Sequence, residues 1–157
     1  VGQALSLSVS AIRSDRHRPQ LASVGLPFLM VELKDRGALE KARPNLDAFP
    51  VLQAQGVAMV HFYVRSEDEF DLRTRMFAPL DGVTEDPATG SANCALAGLL
   101  AHLGEEVDRE YDWRIAQGVE MGRPSELRAR AKKQNGMVTT TWIGGNCIQV
   151  VEGTLHI

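Results

Sequence analysis

The longest apolar run in the chain covers residues 92–103, Ala-Asn-Cys-Ala-Leu-Ala-Gly-Leu-Leu-Ala-His-Leu, enough for about three helical turns. Ala92, Ala95, Leu96, Leu99, Leu100 and Leu103 form one stripe at helical spacing, while Ala97, Gly98 and Ala101 make the other side small rather than polar. A helix with no polar face must be enclosed, and Gly104 supplies its stop. Elsewhere the pattern is one of short segments. Residues 28–33, 57–64, 72–77, 111–117, 126–131, 137–143 and 147–151 read as strands, with an acidic turn at 67–69 and further turns at Gly136 and Gly144-Gly145-Asn146. Residues 3–9 have weak helical character and 13–19 form a polar loop. Asn45 is the expected cap of a helix running to about Gln55, which Pro50 must bend and Gly56 must end. Many strands and one apolar helix predict an α+β fold, a curved, mostly antiparallel sheet wrapped around a central apolar helix.

Composition narrows the functional classes. A chain of 157 residues with 44% hydrophobic residues has material for one domain with its own core. The net charge is −3 and the basic residues are scattered, so no concentrated patch awaits a phosphate backbone and nucleic acid is not an expected partner. The apolar run is too short to span a bilayer and contains Asn93 and His102, so no membrane partner is expected and the expected location is cytoplasmic. Cys94 and Cys147 are far apart, with no C-x-x-C spacing; they read as small buried hydrophobes in a reducing compartment, a disulfide or redox role being the alternative. His17, His61, His102 and His156 lack metal-binding spacing, and His102 reads as a core group.

The candidate chemistry lies where Glu85-Asp86-Pro87-Ala88-Thr89-Gly90-Ser91 feeds the central helix. The first turn of a helix carries unpaired N–H groups and the positive end of the dipole, which together suit an anion. Gly90 lets a ligand approach the backbone, and Ser91 adds a hydroxyl donor. The competing reading makes Asp86 an ordinary N-cap with Pro87 at N1, starting the helix three residues earlier and closing the pocket. The helix start separates the two: at Gly90 the amides are left for a ligand, at Pro87 they are spent within the helix. Asp86 is itself an anion and cannot share a carboxylate pocket unless it is protonated or turned toward a donor. Arg75 and Met76 are expected on a strand supporting this loop, residues 23–27 at a strand entry, and Gly122-Arg123-Pro124-Ser125 in a strand-to-strand turn with Arg123 facing solvent.

Several ordered motifs carry a family likeness. Ser23-Val24-Gly25-Leu26-Pro27-Phe28-Leu29, Arg75-Met76-Phe77-Ala78-Pro79, Gly82, Glu85-Asp86-Pro87-Ala88-Thr89-Gly90-Ser91-Ala92, Gln117-Gly118 and Met121-Gly122-Arg123-Pro124-Ser125 resemble the phenazine-biosynthesis PhzF-like proteins, relatives of diaminopimelate epimerase. The resemblance runs from about residue 20 to the end and matches the second of that family's two lobes. It implies that residues 1–157 are a C-terminal lobe, and that the N-terminal lobe of the same protein holds a general acid and base glutamate and a Gly-His segment. It further implies a cofactor-independent isomerase acting on a small-molecule carboxylate, often as a homodimer. Thr89, Gly90 and Ser91 would bind the substrate carboxylate. Asp86 would be the catalytic residue, orienting an amino or hydroxyl group near the reacting carbons. Diaminopimelate epimerases carry a cysteine in the corresponding loop; Asp86-Pro87 stands there instead, which argues against a two-cysteine racemase mechanism. An amino-acid racemase or epimerase of another kind and a non-catalytic anion-binding module remain the alternatives, and a lobe alone is expected to lack turnover.

Overall fold

The computed structural model describes residues 1–155. After two short 3₁₀ turns, Gln3–Leu5 and Val9–Ala11, come β1 (Gln20–Ser23), β2 (Pro27–Glu32), α1 (Arg36–Lys41), α2 (Phe49–Gln53), β3 (Val60–Arg65) and β4 (Leu72–Ala78). A further 3₁₀ turn, Pro79–Asp81, leads to β5 (Val83–Asp86), α3 (Gly90–Leu103), β6 (Arg109–Gln117), β7 (Ser125–Gln134) and β8 (Met137–Gly145). All strands belong to one sheet in the order β1-β2-β3-β4-β6-β7-β8, with β5 paired to β4 beside this path. The pairs β2/β3 and β4/β6 are parallel and the others antiparallel. Both parallel joins span a connection containing helices, as a parallel crossover requires. The expected architecture is present: the sheet curls so that α3 touches β1 and β2 from one end and β6, β7 and β8 from the other.

Burial explains the two strand patterns. In β2, β3 and β4 alternate residues serve two cores, so these strands read as nearly continuous apolar runs. Phe28, Met30, Tyr63, Leu72 and Met76 face α3, whereas Leu29, Val31, Val60, Phe62 and Phe77 face α1, α2 and the first 3₁₀ turn. In β6 and β7 only the inner face is covered: Ile115, Leu127, Ala129 and Ala131 point to α3 while Arg128 and Arg130 lie outside. The small face of α3 allows close approach, with the Thr141 methyl at 3.4 Å from where a Cβ on Gly98 would stand.

Several boundaries differ from expectation, each for a local reason. Residues 3–9 form separate 3₁₀ turns, and the expected helix from Asn45 shrinks to α2 because Pro50 suits only its first turn. α1, which the sequence pattern did not predict, begins on a cap, the Ala38 amide donating to Asp35 Oδ1 at 2.8 Å. Gly144 and Gly145 end β8 rather than turning, with Gly145 close against the Glu126 carbonyl oxygen. The expected strand at 147–151 is absent: Ile148 and Val150 are 88% and 87% exposed, and alternation without a partner edge makes no strand. Cys147 is therefore exposed, whereas Cys94 is buried as expected, and both are free thiols. His102 lies in the exposed last turn of α3, not in the core. His156 lies outside the described residues.

Two glycines separate conformational from steric need. Gly136 (φ +76°), with Asn135 (φ +52°), makes the left-handed two-residue turn between β7 and β8, and a Cβ there would meet nothing within 4 Å. Gly118 (φ +78°) follows β6, and a Cβ there would stand 2.2 Å from the Arg123 carbonyl oxygen and 2.8 Å from that of Pro87. Gly136→Ala is therefore expected to cost about 1 kcal/mol and Gly118→Ala at least about 3 kcal/mol in urea unfolding. Equal losses would show that backbone conformation alone decides.

Candidate active site at the start of the central helix

The helix begins at Gly90, the start that leaves its first amides free. Thr89 is the N-cap residue but its side chain does not cap, and among the described residues the Asn93 amide is the first to bond back, donating to the Thr89 carbonyl at 3.1 Å. The amides of Gly90, Ser91 and Ala92 donate to nothing described, as the geometry of a helix start without a capping side chain dictates. Asp86 does not cap the helix. It ends β5, across from Met76 on β4.

A chain of side-chain hydrogen bonds holds this arrangement. Gln117, fully buried at the end of β6, donates through Nε2 to the Asp86 carbonyl (2.7 Å) and to Thr89 Oγ1 (2.9 Å). Its Oε1 accepts from Asn93 Nδ2 (2.7 Å) and from the Thr89 amide (3.2 Å). Thr89 Oγ1 then donates to Asp86 Oδ2 at 2.6 Å. Asn93 Nδ2 also donates to the Thr89 carbonyl (3.0 Å), which turns Asn93 Oδ1 toward His61 Nε2 at 3.2 Å. Since an amide oxygen only accepts, His61 carries its proton on Nε2 and leaves Nδ1 buried without a partner among the described residues. Burial, opposed by the Asn93 bond, holds the His61 pKa down to about 4, so the ring is neutral near pH 7.

A second brace lies one residue before Asp86. Arg75 on β4 makes a two-point pair with Glu85, both contacts at 2.8 Å, and donates to the Leu39 and Ala42 carbonyls at 2.7 and 3.0 Å. The guanidinium also lies over the Phe62 and Phe77 rings. β5 is thus tied to α1, and Asp86 cannot move independently of the core. Beyond Gln117, the turn formed by Gly122 and exposed Arg123 closes on Gly118, whose carbonyl accepts from the Arg123 amide at 2.9 Å.

Of the four expected site residues, Asp86 and Thr89 are in direct contact, and Gly90 borders a cavity of about 410 Å³ with Ala88, Leu127, Ile143 and Cys147. Asp86, Thr89 and Ser91 do not line that cavity; half-buried Asp86 and Ser91 flank the helix start. Gln117, Asn93 and His61 had no site role in the sequence. Gln117 belongs to the Gln117-Gly118 pair of the family likeness, but a buried amide bridging residues 28 positions apart has no local signature.

Comparison with known proteins gives a consistent result. Residues 2–153 match the family model described as phenazine biosynthesis-like protein. An uncharacterized isomerase of Mesorhizobium japonicum is 32% identical over all of this chain and 54% of its own length. A trans-2,3-dihydro-3-hydroxyanthranilate isomerase of Pseudomonas fluorescens is 36% identical over 71% of this chain and 42% of its own length. Among solved structures, a PhzF-family phenazine biosynthesis protein of Bacillus anthracis superposes with a TM-score of 0.73 at 20% identity, over 91% of this chain and 53% of the other. The chain spans about half the length of the curated relatives it matches.

The hydrogen-bond chain has two measurable consequences. Unfolded His61 takes up a proton near pH 6.5 and folded His61 only near 4, so between those values the unfolded chain binds more protons. Stability is then expected to be fully present above pH 6.5 and to fall by about 3 kcal/mol as pH drops toward 4, a slope that His61→Gln removes in urea unfolding. An unchanged slope in the variant would assign the acid sensitivity elsewhere. Gln117→Leu leaves the Thr89 amide and Asn93 Nδ2 short of an acceptor and is expected to cost about 2 to 3 kcal/mol; a neutral change would mean that the loop holds itself.

Proposed function

This chain belongs to the phenazine biosynthesis-like protein family, and on that premise we propose that it is one lobe of an isomerase that moves a proton between carbons of a small carboxylic acid. The reaction uses acid and base side chains, with no metal or organic cofactor. A second, N-terminal lobe of the same protein supplies the catalytic glutamate and closes over the substrate, excluding water. A homodimer of the two-lobe protein and a cytoplasmic location belong to the same reading.

One observation carries it: at the start of α3, three amides without partners among the described residues lie close in the chain to an aspartate whose carboxylate is oriented by the Thr89 hydroxyl. The amides of Gly90 and Ser91, the Ser91 hydroxyl and the helix dipole receive the substrate carboxylate. Thr89 is the positioning residue between them and Asp86. Asp86 Oδ1, which accepts no hydrogen bond among the described residues, orients a substrate amino or hydroxyl donor. The Pseudomonas relative is named for a dihydro-hydroxyanthranilate, a compound that bears a carboxylate with an amino group on the neighbouring carbon. That pairing of an anion with an adjacent donor suits this helix start.

In the intact protein, Asp86→Asn is expected to lower kcat by about 10² to 10⁴ with little change in Tm, and Ser91→Ala to act mainly on KM. Turnover of trans-2,3-dihydro-3-hydroxyanthranilate in deuterated water, read by mass spectrometry, is the direct assay. Exchange with a shifted double bond supports the isomerase, inversion alone supports a racemase or epimerase, and binding without exchange supports an anion-binding module. Wild-type kcat in Asp86→Asn would remove Asp86 from the chemistry.

A further inference from the structure

The opposite end of α3 borders a different cavity, of about 390 Å³, lined by Arg16, His17, Glu32, Arg65, Tyr111 and Trp113. Its floor is Glu32, the last residue of β2, 1% exposed. Burying a carboxylate there requires full pairing, yet the two oxygens are treated differently. Oε2 accepts from the Tyr63 hydroxyl at 3.2 Å. Burial first, and the neighbouring carboxylate next, push the Tyr63 phenol well above its ordinary range, so it remains a donor. Among the described residues Oε1 accepts no hydrogen bond, although Arg65, Arg13 and Arg16 stand 3.6, 3.7 and 3.8 Å away.

The same molecule shows what closed structural pairs look like. Arg75 and Glu85 meet at 2.8 Å and Arg73 and Asp68 at 2.7 Å. Around Glu32 the guanidinium groups stop about 1 Å short of that, and the side chains of Arg16 and Arg65 are 45% and 43% exposed. Charge is also unbalanced. Arg13 has Asp15 at 3.3 Å and Arg109 has Glu106, whereas Arg16 and Arg65 share Glu32 alone among the described residues. One positive charge is left over, next to a buried acceptor with no donor. On one side the cavity has a flat aromatic wall, Tyr111 and Trp113 stacked at 5.4 Å and 4°.

We propose that this cavity is a second small-molecule site, for an anion that carries a neighbouring hydroxyl group, with Arg16 and Arg65 pairing the anionic group and Glu32 Oε1 accepting from the hydroxyl. The surplus charge selects the anion and the orphaned oxygen selects the donor. Phosphate and carboxylate compounds share the required chemistry, and the aromatic wall receives the carbon skeleton. This site lies at the C-terminal end of α3, away from Gly90, and does not rest on the isomerase reading.

The test is calorimetric titration of the intact protein with glycerol 3-phosphate against ethyl phosphate, and with glycerate against propionate. Each pair matches in anionic group and differs in hydroxyls. The hydroxylated member of at least one pair is expected to bind about tenfold more tightly, and the pair that does so identifies the anionic group. Arg16→Ala with Arg65→Ala, both at exposed positions, is expected to weaken that binding by about tenfold or more. Glu32→Gln is expected to keep the anion and lose the hydroxyl preference. If Glu32→Gln does not fold, the preference in the unaltered protein and the arginine pair decide the matter. No binding by any of the four compounds, equal binding within both pairs, or binding unaffected by the double arginine variant would overturn the site and leave the arginines as neutralisers of Glu32.

Discussion

A single buried amide, that of Gln117, joins the end of β6 to the start of α3, and the geometry of the candidate site follows from it. Both ends of this side chain are used: Nε2 on the Asp86 carbonyl and the Thr89 hydroxyl, Oε1 on the Thr89 amide and Asn93. Hydrogen bonds of this kind are individually modest, but an amide with four partners in a dry interior cannot rotate without orphaning several groups at once. The loop of residues 87–89 is consequently held at both ends by the sheet rather than by the helix it precedes. That permits the helix to start without a capping side chain. If a cap were present, its oxygen would occupy the place of an incoming anion.

The direction of the hydrogen bonds adds a second constraint. Each donor in the series His61, Asn93, Gln117, Thr89 passes to the next acceptor, and the last acceptor is Asp86. Asn93 cannot be flipped without setting its amide nitrogen against the His61 donor, and Gln117 cannot be flipped without setting its nitrogen against the Thr89 and Asn93 donors. The low pKa of His61 keeps the series in one state across the neutral range. Arg75 and Glu85 add a rigid anchor one residue away, so the Asp86 carboxylate is aimed by the core rather than by solvent.

What the sequence revealed and what it concealed divide along the range of the interactions. The central helix, its enclosure and most strands were legible, because the apolar pattern of α3 and of β2 to β4 is local and strong. The turn at Gly136 was equally legible, from the glycine itself. Missed elements were those whose existence depends on distant partners: β1, which exists against β2; β5, which exists against a bulged β4; and α1, six residues long with a glycine inside it. The expected strand at 147–151 failed for the converse reason, a favourable local pattern with no partner. In the site, Asp86 and Thr89 could be named from the loop, but Gln117 and His61 could not. Their roles come from separations of 28 and 32 residues that only the folded sheet brings together.

The two ends of α3 are finished differently, and the difference bears on what each end can do. At the C-terminal end the last carbonyls are supplied from within the fold: the Gly104 amide bonds back to Leu100 and Ala101, and the Lys133 ammonium donates to the His102 and Gly104 carbonyls at 3.2 and 2.7 Å. Lys133 reaches them because it lies on the inward face of β7, next in the alternation after Leu127, Ala129 and Ala131. The negative pole of the dipole therefore has its cation in place. Among the described residues nothing equivalent serves the positive pole, where no acidic residue lies in the first turn and the Asp86 carboxylate is engaged by Thr89. The fold thus provides a buried lysine to satisfy one end of the helix, and braces the other with Gln117 and Arg75 so that three amides there have no partner among the described residues. A helix start left in this state has the charge and the donor geometry that suit an anion.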